Sequence, residues 1–280
     1  MQSQNPGSQI GAAVKVLATP EPVRQACARA DAAVAKLRFH EGLRHRWPQA
    51  RTEAAVREAS ASALCEGARI DISELRQAAA DGSLAGRVED ASWAIGVGAL
   101  AAQLHLVEVM APLNVRGRRG RRAPVNFPAL LAGLHRDACV GLLQLGLIKP
   151  DQVGLPLAGA GQEKVERARV LAAAAGPAWV RAALVHAELS DAFAGPSGVV
   201  ARAGARWVMV NGGAEPTGVA LVSERCGRDG LGYRAKLRAY RRASPDGVGA
   251  WIAWIVEAAA QGAERGADLA LEVLGQKLAK

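Results

Sequence analysis

The stretch Asp191-Ala192-Phe193-Ala194-Gly195-Pro196-Ser197-Gly198-Val199-Val200-Ala201-Arg202 decides how this chain folds. Gly195, Pro196 and Gly198 crowd into four positions, too many breakers for a helix to run through them. On both sides, over 178–189 and 199–210, Ala, Val and Leu recur at helical spacing. The reading is helix, tight loop, helix. Ser197 is placed to cap the second helix, and the free backbone amides of a helix start attract anions. Arg202 and Arg206 are four positions apart and share a face one turn above the loop. Two arginines near a helix N-terminus oppose its dipole, which favours a phosphate or carboxylate close by. Ser197, Gly198, Arg202 and Arg206 are therefore the candidate anion-binding set. The plainer alternative is an ordinary connection with a surface arginine pair.

Outward from the loop, the same periodicity predicts helices over 128–147 and 163–174 before it. After it come 232–242 and 248–274, the last capped by Asp246. Nearer the start, helices are predicted over 21–46, ending before Trp47-Pro48, and over 51–65, stopped by Gly67. Asp71 with Glu74 three positions on forms a capping box that opens a helix to about residue 80. A long Ala/Leu-rich helix follows over 88–109, closed by Pro112. Residues 1–20 read as a flexible tail, and 149–161 as a Gly/Pro-rich connection. The segment 114–128 breaks the helical pattern around Arg116, Arg118, Arg119, Arg121 and Arg122, and reads as a loop or two-stranded flap. The expectation is an all-α chain, one helical domain over 1–280.

Composition agrees. Of 280 residues 50% are hydrophobic, enough for a sizeable core, and aromatics at 4% leave Ala and Leu to fill it. The net charge of +9 has two readings. It is either spread over solvated helix faces or focused on an anionic partner such as a nucleotide, nucleic acid or acidic protein. An arginine run without aromatic neighbours is a generic anion patch and not a base reader. Cys27, Cys65, Cys139 and Cys226 are far apart, which argues against zinc and against a disulfide scaffold. His40, His45, His105, His135 and His186 show no metal-ligand spacing and read as structural or surface residues. The start of the chain lacks a secretory pattern and no eighteen apolar residues run uninterrupted, so the expectation is a cytoplasmic protein with no membrane span. Nucleophile-elbow, P-loop, zincin and dinucleotide fingerprints are all missing from the sequence.

Three segments carry a more specific pattern. In Arg57-Glu58-Ala59-Ser60-Ala61-Ser62-Ala63-Leu64-Cys65-Glu66-Gly67, followed by Ile72-Ser73-Glu74-Leu75, the residues Ser62, Glu66 and Gly67 match [ST]-x-x-x-E-[GN]. In the loop, Phe193, Gly198 and Arg202 match H-x-F-x-[DE]-G-N-G-[RK]-x-x-R without a gap. Beyond it lie Tyr233-Arg234-Ala235-Lys236-Leu237 and Trp251-Ile252-Ala253-Trp254-Ile255, running to Gln261. In this order, over roughly 50–265, the segments resemble the Fic family, whose members transfer nucleotide monophosphates to protein hydroxyls.

The resemblance implies a helical Fic-like domain with an inhibitory-type helix (Ser62, Glu66, Gly67), with the arginine run where the family carries its target-positioning flap. It pairs Glu66 with Arg202, the position that otherwise holds a terminal phosphate. It also exposes departures. Asp191 stands for the catalytic histidine and Gly195 for the metal-binding carboxylate, while Pro196, Ser197 and Val199 replace Gly, Asn and the first basic residue. A carboxylate is a poor base near neutral pH beside an imidazole, and a lost positioned base costs about 10² to 10⁴ in rate. No magnesium site is expected. The leading expectation is a degenerate Fic-fold protein that binds a protein partner or phosphate-bearing ligand, a nucleotide among the options, at the former active-site loop. The alternatives are a transferase of altered chemistry using Asp191 or Glu188, and a basic nucleic-acid-associated protein.

Overall fold

The computed structural model describes residues 6–82, 88, 90–115 and 125–276, and among these every regular element is helical. In chain order the helices are α1 (Pro6–Leu17), α2 (Glu21–Arg38), α3 (Gly42–Cys65), α4 (Ile72–Asp81), α5 (Ala91–Val109) and α6 (Phe127–Gln144). A 3-10 turn at Pro150–Gln152 leads to α7 (Ala160–Ala173), α8 (Ala178–Leu189), α9 (Ser197–Asn211), α10 (Val222–Arg228), α11 (Gly230–Arg241) and α12 (Pro245–Leu274).

Thirteen of the fifteen residues of α9 are buried, Arg202 and Arg206 among them. A helix enclosed on all sides has no solvated face, so its charges must find partners inside. Around it pack α8, α6, α5 and α3. The long α12 packs most extensively on α2 and also on α3, α8, α10 and α11. Trp251 at the centre of that junction is fully buried, and its indole N–H donates to the Ala183 carbonyl at 2.7 Å. By length and composition α5 could cross a membrane, but half of its apolar window is buried here, against α3 and α6.

Several boundaries differ from the sequence expectation, each for a local reason. The expected tail carries α1, whose Val14 is 1% exposed. The break expected at Trp47-Pro48 falls instead at 39–41, where His40 Nδ1 accepts the Gly42 amide. Pro48 then sits inside α3, just after a kink at Arg46 (φ −105°, ψ 19°). The kink restarts the helix, so the missing proline N–H falls in a first turn, where it costs little. The short α10 went unpredicted, and α12 is capped by the Ser244 hydroxyl accepting from Gly247 N at 3.1 Å, not by Asp246. Asp71 does cap α4, accepting from Ser73 N at 2.7 Å. The arginine run, 116–122, lies outside the described residues, and so does most of the expected flap. The described residues hold only one isolated antiparallel bridge, between Pro156 and Phe193.

Candidate functional site

The loop between α8 and α9 is pinned from both sides. Gly195 takes φ +62°, a left-handed turn that suits glycine. Ser197 does not cap α9 as the sequence suggested. Its hydroxyl donates to the Leu189 carbonyl (2.7 Å) and accepts from Phe193 N (3.0 Å), stitching the loop to the end of α8. The Phe193 ring packs on the buried His135 of α6, with centroids 4.7 Å apart. His135 Nδ1 accepts from Gly154 N at 2.9 Å, so its proton sits on Nε2, which donates to the Ala194 carbonyl at 2.9 Å. Burial lowers the His135 pKa, which favours this neutral form. On the other side Leu157 N donates to the Ala192 carbonyl at 2.9 Å.

On the inner flank, α3 brings its last turn across the start of α9. Arg202 Nε donates to Ser62 Oγ (2.8 Å), and its Nη2 donates to the Ser62 carbonyl (3.0 Å) and to Glu66 Oε1 (2.6 Å). These partners are 136 to 140 positions away in sequence, and the structure joins them. A Cβ on Gly198 would collide with the Glu66 carboxylate, so the acid lies directly on the first turn of α9. Desolvation works against the Arg202 charge, but Cys65, then Glu66 and Tyr233, hold the guanidinium above its ordinary range. Gly67 ends the turn at φ +89°.

One turn deeper, Arg206 faces away from the loop. It donates to Gln103 Oε1 and to the Gly218 carbonyl (2.6 Å), and it lies between the buried carboxylates of Glu58 and Glu215. Glu58 accepts from Ser223 N (2.8 Å) and Oγ (2.6 Å), while Glu215 accepts from Thr217 and Gly218 N. Desolvation raises the pKa of both acids and lowers that of Arg206. Of the two arginines expected to share an anion, only Arg202 reaches the loop. His186, in the last turn of α8, is buried among Tyr233 (2.9 Å, Nε2 to OH) and Trp251. Burial, helped by Arg202, pushes its pKa down to about 3.

The outer flank is solvated. Asp191 Oδ1 accepts from Lys164 Nζ at 2.7 Å and Oδ2 lies 3.2 Å from Arg241 Nη2. Glu188 accepts from Arg167 Nε (2.9 Å) and the Tyr240 hydroxyl (2.7 Å). Both carboxylates are thus tied to α7 and α11, Asp191 by a cation of each and Glu188 by a cation of α7 and a tyrosine hydroxyl of α11. Among the described residues, no three His, Cys, Asp or Glu side chains gather as a metal site. The flap residues Arg116, Arg118, Arg119, Arg121 and Arg122 lie outside the described residues.

Neither family models nor curated proteins give a match to this chain. Its structure is similar to that of a Fic family protein from Desulfovibrio desulfuricans G20, with a TM-score of 0.59 at 15% identity, over 91% of this chain and 76% of that one. The chain has a Fic-like, all-α fold. Residues 192–198 of the loop carry no carboxylate side chain.

Proposed function

We propose that this Fic-fold protein does not transfer adenylyl groups and that its loop 195–198 recognises a phosphate-bearing ligand or an acidic segment of a protein partner. The observation that supports this is the position of Glu66. Its carboxylate rests on the first turn of α9 and on Arg202, acting as an anion supplied by the chain itself. The anion-holding half of the loop is kept, while the proton-accepting half is not. Asp191 has both carboxylate oxygens engaged by Lys164 and Arg241. An external phosphate would take the place of Glu66 against Gly198 and Arg202.

Thermal unfolding with ATP, ADP or pyrophosphate, with and without magnesium, tests the reading. A larger stabilisation of Glu66→Ala than of the unmodified protein, unchanged by magnesium, is expected. Labelled ATP should leave no label on the chain or on added protein. No ligand shift in either form would sink the phosphate-bearing half of the recognition reading. Labelling that disappears in Asp191→Ala would replace it with a transferase of altered chemistry.

A further inference from the structure

Far from the loop in sequence, the first turns of α2 and α12 and the sides of α10 and α11 enclose a groove of about 510 Å³. Its apolar wall is made by Pro20, Pro22, Val23, Ala253 and Trp254. The volume is in the range of about 300–1,000 Å³ typical of small-ligand pockets. Two cations line it without a carboxylate partner among the described residues. The Arg225 guanidinium lies 4.9 Å from the Trp254 ring centroid, and its Nη1 is buried with no hydrogen-bond acceptor. An arginine stacked on an aromatic face with no carboxylate partner keeps its charge for an anionic oxygen. Lys236, half-buried on α11, is the second cation. Of the two acids on the lining, Glu257 is already bound by Arg29, and Asp246 stands exposed in the first turn of α12. The local balance favours an anion.

We propose that this groove binds a small organic anion. Its flat apolar body lies against the proline and Trp254 wall, and its single carboxylate, sulfonate or phosphate meets Arg225 and Lys236. Charge complementarity and volume select this occupant. The site is independent of the loop 195–198, so either can fail without the other.

Fluorescence titration of the full chain with 8-anilinonaphthalene-1-sulfonate tests it, with uncharged N-phenyl-1-naphthylamine as comparator. The sulfonate should saturate one site and bind at least about tenfold more tightly than the neutral dye, the worth of a charge-assisted hydrogen bond. Lys236→Gln should weaken it about tenfold, by the same reasoning. Gly249 lines the groove and a Cβ there would meet nothing within 4 Å, so Gly249→Leu adds bulk to the groove from an unobstructed Cβ and improves the helix. That variant should abolish binding with thermal stability kept. Absent or unsaturable sulfonate binding, equal affinity for the two dyes, or a titration unchanged in either variant would overturn the proposal.

Discussion

The two flanks of the loop are built from the same chemical groups and behave as opposites. On the inner flank Arg202 is 2% exposed and Glu66 25%, whereas on the outer flank Asp191 and Arg241 are 42% and 45% exposed. Both are guanidinium–carboxylate pairs. Water screens the outer pair, which leaves it worth about 0–1 kcal/mol, while the inner guanidinium, taken out of water, depends on every acceptor it has. Setting, and not residue type, decides which charge holds structure and which only decorates it. The same contrast repeats along α9, where Arg206 is enclosed with two acids and Arg202 keeps a partner that still meets solvent.

If that contrast is right, Arg206→Ala should have the largest effect. It leaves Glu58 and Glu215 uncompensated in the interior, and should cost about 3–5 kcal/mol in urea unfolding. A loss below about 1 kcal/mol, a surface-pair value, would break the distinction between inner and outer charges.

Acid should separate the interior from the surface through His186. The folded protein keeps it neutral down to about pH 3, whereas the unfolded chain takes up a proton near 6.5. Between these values the unfolded state binds more protons, so stability falls as pH drops through the window. His186 alone should account for about 2 kcal/mol of loss by pH 5. The buried acids Glu58 and Glu215, with raised pKa values, act in the reverse sense. Subtracting the same curve for His186→Gln removes their contribution, and an identical pH slope in that variant would show His186 to be accessible to water.

Glu66→Ala is expected to be milder, about 1–2 kcal/mol at pH 7, because Arg202 keeps Ser62 and the vacated face admits water. The smallest effect belongs to Asp191→Ala, below about 1 kcal/mol and lessened further by added salt. If Asp191→Ala proved the costlier of the two, the ranking of the flanks would be reversed.

How much of this was legible in the sequence depends on how local each signal is. The helix predicted over 178–189 is found at Ala178–Leu189, because its pattern and the loop after it are both contiguous. The Glu66–Arg202 contact was legible only through the spacing of two motifs, since nothing local joins residues 136 positions apart. Arg206 was misplaced for the same reason. Its partners Gln103 and Gly218, and the acids Glu58 and Glu215, are scattered over α5, α3 and the connection from α9 to α10, so helical spacing could only assign it to the face of Arg202. His135 was read only as structural or surface, and its pinning of the loop left no signal because its hydrogen bonds go to backbone at Gly154 and Ala194. Another buried charge, Arg51, was missed on the same ground: it donates to the Thr217 and Ala111 carbonyls (2.6 and 2.7 Å). Side chains that bond backbone ask nothing of the sequence at the other end.

The stitching of the loop has a consequence for how a ligand would enter. Ser197, His135 and the Leu157 amide tie residues 192–194 to three separate elements, so moving the loop means opening all three at once. The last turn of α3 is held by its own amides, Glu66 N to the Ala63 carbonyl and Gly67 N to that of Leu64, and by the bonds of Arg202 to Ser62, whereas the Glu66 carboxylate itself has the single contact to Arg202. Local opening free energy is lowest where fewest contacts must break together. On the proposed reading the loop is therefore the stiff part and the Glu66 side chain the yielding one, so an anion would enter by displacing that carboxylate and not by moving the loop.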